Sequence, residues 1–329
     1  MMSVRLTWTN NSSGHDGTRI YRDAAPLEPE ALPMPIGEVA AGVEEYIDTG
    51  MAASTTYYYR AAAYRGGEES VSEEISATTE EEPAEIDEMS PSGSTFAHPD
   101  PYNGTIAFSS DGLQLYVFGK NLLRQYELSA PWDITTASQR ATVESPYLAY
   151  GGCFSSDGLS LLFAETGLSA VKKYNLASAW DVSSITGSDA KEDLPGMGRL
   201  RHIELSDDGS KLYALDYNGT NSVVEYDLAS PLDFGTATKS SSLPLTGDPR
   251  VFAIYDGGTR LVTANKENSV LTEWVMSTPW DLSTATESGA SLDVKAVQDD
   301  VYGLVFVDSG QRMFVSGYTP AEIAEYTRA

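Results

Sequence analysis

Hydrophobic and polar positions alternate in short runs along this chain, and the runs are punctuated by turn clusters. Val4, Leu6 and Trp8 alternate with Arg5 and Thr7, which predicts a half-buried strand with Trp8 on the core face. The cluster Asn10-Asn11-Ser12-Ser13-Gly14 predicts a turn, and Thr18-Arg19-Ile20-Tyr21-Arg22 the next strand. A connection rich in proline follows (Pro26, Pro29, Pro33, Pro35), then strand-like runs at 43–49 and 54–64.

From residue 104 onward the pattern repeats. Phe108-Ser109-Ser110-Asp111-Gly112, Phe154-Ser155-Ser156-Asp157-Gly158, Leu205-Ser206-Asp207-Asp208-Gly209, Ile254-Tyr255-Asp256-Gly257-Gly258 and Phe306-Val307-Asp308-Ser309-Gly310 are five copies of one turn. An apolar strand follows each copy, then a second strand ending on Tyr126, Tyr174, Tyr226, Trp274 or Tyr326. Four copies carry a tail, Ser129 to Asp133, Ser178 to Asp181, Ser230 to Asp233 and Thr278 to Asp281, in which Trp132-Asp133, Trp180-Asp181 and Trp280-Asp281 recur.

A period of about 50 residues with three or four short strands per unit is the mark of β-propeller blades, because a lone small sheet cannot bury both faces. The Asp-Gly pairs Asp111-Gly112, Asp157-Gly158 and Asp208-Gly209 supply hairpins that need positive φ. The Trp-Asp pairs read as structural anchors, the indole packed between blades and the carboxylate capping a turn. The last repeat ends before its fourth strand, so residues 85–94 are expected to close the final blade, with Ile86 to Met89 supplying its missing outer strand.

No Lys or Arg occurs between Arg65 and Lys120, and acidic residues crowd 68–88 around Pro83. Such a run predicts a boundary. The organisation read from it is a sandwich over 1–79, an acidic linker over 80–84 and a five-bladed propeller over 85–329. The fold class is all-β.

Charge narrows the partners. With 48 acidic against 21 basic residues the net charge is −27, which repels nucleic acid and anionic lipid headgroups. No nucleic acid partner and no membrane insertion are expected. The N-terminus carries no apolar stretch of signal-peptide length, and no run of eighteen apolar residues exists. Cys153 reads as a buried free thiol, and His15, His98 and His202 lack a second ligand at zinc spacing. Aligning the repeats after their second strand brings Gly119, Glu165, Asp216, Asn265 and Gly317 to one level. Glu165, Asp216 and Asn265 could converge there on a cation or a sugar, against the plainer reading of polar hairpin residues. No nucleophile elbow or phosphate loop is present. The expectation is therefore no catalytic residue, no metal and no cofactor.

Ser54-Thr55-Thr56-Tyr57, followed by the run to Tyr64, resembles the fibronectin type III family, an immunoglobulin-like sandwich. That resemblance makes Tyr57 a corner tyrosine that shares the sandwich core with Trp8, and it leaves the first strand missing. The edge Val4, Arg5, Leu6, Thr7, Trp8 and Thr9 is then a candidate docking edge, unless the Pro26 to Pro35 connection covers it. The blades resemble the repeats of bacteriophage tail and virion surface proteins. This implies a non-enzymatic structural protein of a virion, in a tail fibre, baseplate or surface decoration. Its implied partners are other virion proteins, further copies of itself and a host-surface glycan or protein. The alternatives are an exported bacterial glycan-binding or adhesion propeller, and a lactonase-like or glycosidase-like hydrolase.

Overall fold

The computed structural model describes all residues except 1, 12–13, 53–54, 80–84, 100–102, 145–148, 167–168, 218, 267 and 329. The linker expected at 80–84, and Ser12, Ser13 and Ser54, therefore lie outside the described residues. The chain divides into two units, Met1–Glu82 and Pro83–Ala329.

Among the described residues the first unit holds seven strands: β1 (Met2–Thr7), β2 (Gly17–Asp23), β3 (Gly37–Ala40), β4 (Glu45–Met51), β5 (Thr56–Arg65), β6 (Glu68–Val71) and β7 (Ile75–Thr78). β3, β2, β5 and β6 form one sheet in that order, with β7 also on β5, whereas β1 pairs only with β4. Strand alternation sends Ile20 and Tyr59 toward Leu6 and Met51, with Trp8 and Tyr57 half-buried at the margin. The Tyr57 hydroxyl accepts the Ala52 amide at 3.1 Å. An immunoglobulin-like sandwich of two full sheets is not shown, since one layer is a two-stranded ribbon.

The candidate docking edge is shorter than expected. Val4 to Thr7 lie in β1 and pair with β4, and the Trp8 amide donates to the Glu44 carbonyl at 3.2 Å. The other edge of β1 has no strand partner among the described residues. The proline-rich connection packs elsewhere: its Leu27 and Leu32 lie against Tyr21 and Ala62, on the face of β2 and β5 that points away from Leu6.

The second unit opens with a short 3₁₀ turn at Ile86–Glu88 and β8 (Met89–Ala97). Next come β9 (Asn103–Phe108), β10 (Gln114–Gly119), β11 (Leu122–Glu127) and β12 (Ser138–Glu144), then β13 (Ala149–Phe154), β14 (Ser160–Glu165), β15 (Ala170–Leu176), β16 (Ile185–Ser188) and β17 (Glu192–Asp193). The third group is β18 (Leu200–Leu205), β19 (Lys211–Asp216), β20 (Ser222–Asp227) and β21 (Thr238–Pro244), and the fourth is β22 (Pro249–Tyr255), β23 (Arg260–Asn265), β24 (Val270–Met276) and β25 (Ala285–Asp293). The last is β26 (Asp299–Val307), β27 (Arg312–Thr319) and β28 (Glu322–Arg328).

Each group is an antiparallel sheet, and β8 pairs with β28 to complete the fifth. The pairing starts at Met89, so Ile86 to Glu88 are a turn and not the strand expected there. One hydrophobic layer separates each sheet from the next. Tyr116 and Phe118 meet Phe154 and Phe163, Leu162 meets Leu212, and Tyr213 meets Phe252. Val262 meets Val315, and Phe314 and Ile323 return to Ile106 and Phe108. Five sheets share five layers in cyclic order, so every sheet has both faces covered.

The repeated turns explain themselves locally. Asp111 accepts from the Ser109 hydroxyl at 2.6 Å and the Leu113 amide at 3.0 Å, and Asp157 and Asp208 repeat this on their own turns. Gly112 and Gly158, at φ near +70° and +69°, lie under the indoles of Trp132 and Trp180, where a Cβ would come within 2.6 and 2.4 Å. Asp133, Asp181 and Asp281 cap the following 3₁₀ turns.

Within the fourth sheet, a buried carboxylate does similar work. Glu273 is fully buried and accepts from Tyr255 Oη at 2.5 Å and Arg260 Nη1 at 2.9 Å. Arg260→Met is expected to cost about 3 to 5 kcal/mol in urea unfolding, because it leaves that carboxylate unpaired. A loss below about 1 kcal/mol would show that Tyr255 alone suffices.

Candidate functional site

The inner strands β9, β13, β18, β22 and β26 surround the axis of the second unit. Counting eight residues back from Gly112, Gly158, Gly209, Gly258 and Gly310 gives Gly104, Tyr150, Arg201, Arg250 and Tyr302. One repeat position therefore supplies a ring of side chains near the start of each inner strand. Every inner strand has a register shift here, at Val117/Gly119 opposite β9 and at Ala149/Gly151, Leu200/Ile203, Pro249/Val251 and Val301/Gly303. A bulge re-aims side chains, and these lie where the ring opens. Gly104 is required where it stands, since a Cβ there would fall 1.7 Å from the Tyr150 carbonyl oxygen.

A cavity of about 210 Å³ is lined by Tyr150, Arg201, Arg250 and Tyr302 together with Thr166, Arg199, Tyr217 and Tyr318. Arg201 is 6% exposed and Arg250 8%. The Arg201 guanidinium lies 4.7, 5.6 and 5.0 Å from the ring centres of Tyr150, Tyr217 and Tyr302. Arg250 lies 4.3 Å from Tyr217 and 5.8 Å from Tyr302, and Arg199 lies 5.5 Å from Tyr217.

Compensation is uneven. Arg250 donates from Nη2 to Asp248 Oδ2 at 2.6 Å, while its Nε and Asp248 Oδ1 are buried without a partner. Neither Arg199 nor Arg201 forms an ion pair with any described carboxylate. Burial, and then the repulsion of Arg250, push Arg201 down to about 10, so it remains a cation at neutral pH. A buried unpaired charge is costly, and protein sites that tolerate one are built to meet the opposite charge.

Below the mouth the axis is filled. The Thr105 hydroxyl and His202 Nδ1 are hydrogen-bonded at 2.8 Å, and His202 Nε2 lies 3.4 Å from Glu204 Oε1. This Thr-His-Glu chain resembles a nucleophile relay in connectivity, but Thr105 and His202 are 4% and 1% exposed and line none of the cavities described here. Cys153 is packed at the margin of the neighbouring core, its thiol pushed up by burial.

The level expected to carry polar chemistry is occupied differently. Asp216 accepts the Arg199 amide at 2.8 Å and the Thr220 amide and hydroxyl at 3.1 and 2.9 Å. Burial opposes its ionisation, yet these donors bring its pKa below the ordinary value. Asn265 ties the Thr246 carbonyl to the Asp248 amide. Glu165 is buried with both oxygens unpartnered, and burial raises its pKa. These side chains buckle or face loops of their own sheets and do not converge. No cluster of three metal-ligating residues occurs among the described residues. The cavity wall is made one residue further on, by Thr166, Tyr217 and Tyr318. Sequence alignment could have found the mouth at the position eight before each glycine.

No family model matches the chain, and no curated protein does. Among solved structures, a protein of unknown function from Desulfotomaculum acetoxidans is similar at 12% identity and TM-score 0.44, over 86% of this chain and 82% of that one. The periplasmic gluconolactonase of Pseudomonas aeruginosa is similar at 13% identity and TM-score 0.42, over 78% and 71%. A Bacteroides uniformis protein named provisionally as a 6-phosphogluconolactonase is similar at 16% identity and TM-score 0.40, over 76% and 80%. None of these three is named as a fibronectin-type or phage protein. The expectation of a non-enzymatic phage structural protein, and with it a virion location, is corrected on that finding. The expected absence of enzymatic activity falls with it, since two of the names are of lactonases. No helix among the described residues is long and apolar enough to cross a membrane.

Proposed function

We propose that residues 83–329 form a five-bladed β-propeller whose channel mouth binds a small anionic, sugar-derived ligand and hydrolyses its lactone. The observation that supports this reading is the buried, unpaired Arg201 guanidinium facing a cavity walled by tyrosines. Tyrosine faces suit the apolar face of a sugar ring, and a guanidinium suits a carboxylate.

In lactone opening, water adds to the carbonyl carbon, the ring C–O bond breaks and the departing ring oxygen takes a proton. Negative charge gathers on the carbonyl oxygen in between. Arg201 is a preorganised donor for that charge, in a site where desolvation strengthens it. Asp248 does not line the cavity; through Oδ2 it holds Arg250 in the wall, and the proton released as water adds passes to solvent. Glycoside hydrolysis fits less well, because it needs two facing carboxylates and the cavity lining contains none among the described residues.

Proton release from a sugar δ-lactone, followed with wild type and Arg201→Gln, tests the reading. Arg201→Gln is expected to lose about 100-fold or more of the rate, as for removal of one oxyanion donor. Equal rates in the two proteins, or no turnover and no binding by wild type, would reject it.

A further inference from the structure

We propose that the cleft between the second and third sheets holds a glutamine side chain carried by a basic segment of a partner protein. The inference is independent of the mouth and comes from one junction that departs from its counterparts. Each of the four tails packs against the preceding sheet, and at three of these junctions that sheet bonds to the tail backbone. From the first sheet, Gln125 Nε2 donates to the Trp180 carbonyl at 2.9 Å and Gln125 Oε1 accepts the Val182 amide at 3.1 Å. From the third, the Tyr213 hydroxyl donates to the Trp280 carbonyl and Glu225 Oε2 accepts the Leu282 amide at 2.7 Å. From the fifth, Arg312 Nη2 donates to the Trp132 carbonyl at 3.2 Å.

The second sheet makes no such bond to the tail of the third. Lys173 stands where Gln125 and Glu225 stand, one residue before the closing aromatic, and Leu162 stands where Tyr213 does. An ammonium cannot accept an amide, and Lys173 Nζ turns to Asp189 Oδ2 at 2.7 Å. The Phe234 amide and the Leu232 carbonyl, counterparts of the bonded groups, therefore have no protein partner among the described residues, although Phe234 is 5% exposed. An amide left unpaired in such a place is costly. A cavity of about 300 Å³ opens there, with Lys173, Glu192, Leu232, Asp233 and Phe234 in its walls. A carboxamide both donates and accepts, so it satisfies the two vacant groups together, as Gln125 does one junction earlier.

The charge of the occupant follows from the same comparison. Arg140 lies six residues after Ile134 and pairs with Asp181 at 3.0 Å across the first junction. Ser188, six after Val182, takes its place in the second sheet, so Asp233, the counterpart of Asp181, has no cation. Gly235 replaces Ser183 and Ser283, whose hydroxyls bond Asp181 and Asp281, and Asp233 does not cap its own turn. Asp233 Oδ1 and Glu192 Oε2 both flank Gly235, at 3.5 and 3.6 Å from the place of its absent Cβ. Neither carboxylate forms an ion pair among the described residues. The outer strand is interrupted between β16 and β17, and Asp189 and Ala190 of that gap border the cavity. A segment bearing an arginine beside its glutamine therefore supplies both groups that the first junction draws from its own chain.

Titration of the isotope-labelled full chain, followed through its amide resonances, decides. The probes are acetyl-glutaminyl-arginine amide, its counterparts with methionine for glutamine or citrulline for arginine, and N-acetylglucosamine. The first probe is expected to shift Phe234 and Gly235 and to bind at least about tenfold more tightly than the methionine counterpart, the worth of the two amide bonds. Against the citrulline counterpart the preference is expected to be about threefold, as for an exposed ion pair. Lys173→Gln is expected to fill the cleft from within and weaken the first probe at least about tenfold. If that variant does not fold, Asp233→Asn is expected to erase the preference for arginine over citrulline. Methionine binding as tightly as glutamine would overturn the carboxamide. N-Acetylglucosamine shifting the same resonances more tightly would overturn the protein partner in favour of a sugar. Unchanged binding by Lys173→Gln, or no shift at Phe234 and Gly235 with any probe, would remove the site.

Discussion

Arg201→Met is expected to leave the ligand-free protein at least as stable as wild type, and up to about 4 kcal/mol more stable, while abolishing anion binding. Two terms compete. Taking a guanidinium out of water costs several kcal/mol even after relaxation, and no carboxylate returns that cost at Arg201. Stacking on Tyr150, Tyr217 and Tyr302 offsets part of it, at about 0.5 to 2 kcal/mol per favourable ring. Met keeps most of the contact with the rings and none of the charge. Adding an anion at about 100 times its dissociation constant should then raise wild-type stability by about 2.7 kcal/mol and leave the variant unmoved. Thermal unfolding with and without ligand measures both halves. A variant that loses more than about 1 kcal/mol without ligand would make the arginine and tyrosines a structural plug.

Closing the ring through Ile86 carries the second large effect. Ile86 is fully buried in the layer between the fourth and fifth sheets, with Met89, Val294 and Val315 in the same cluster. It also begins the segment that delivers β8 to β28. Ile86→Ala is expected to cost about 2 to 5 kcal/mol, the usual range for emptying a buried aliphatic site. Because β8 is the only strand of its sheet that comes from the start of the unit, the loss should be local. Amide exchange is expected to quicken first at 89–97 and 322–328, where release of β8 bares an edge. Uniform acceleration over all five sheets would show that this junction is no weaker than the rest.

The sheets of the second unit were legible in the sequence because each hairpin is determined by its own few residues. Ser109, Asp111 and Gly112 make their turn with bonds no longer than five positions, and Trp132 returns to that glycine within its own repeat. The first unit was less legible. The run around Tyr57 predicted strands that do form, but whether two layers make a full sandwich depends on which strands pair, and β1 finds only β4.

The mouth is marked in the sequence only by the position eight before each repeat glycine. Composition emphasised the carboxylates, and the level of Glu165, Asp216 and Asn265 stood out because polar residues are visible in a repeat. Strand alternation and the bulge at the head of each inner strand set the next residues, and Arg201 and Arg250, toward the axis instead. Local chemistry in the sequence determined the turns, the strands and their repetition, since those bonds join near neighbours. Which side chains share the axis was decided only by closure of the ring, because Arg201, Arg250 and Tyr302 stand about 50 residues apart in the chain and become neighbours only when the inner strands of successive sheets meet.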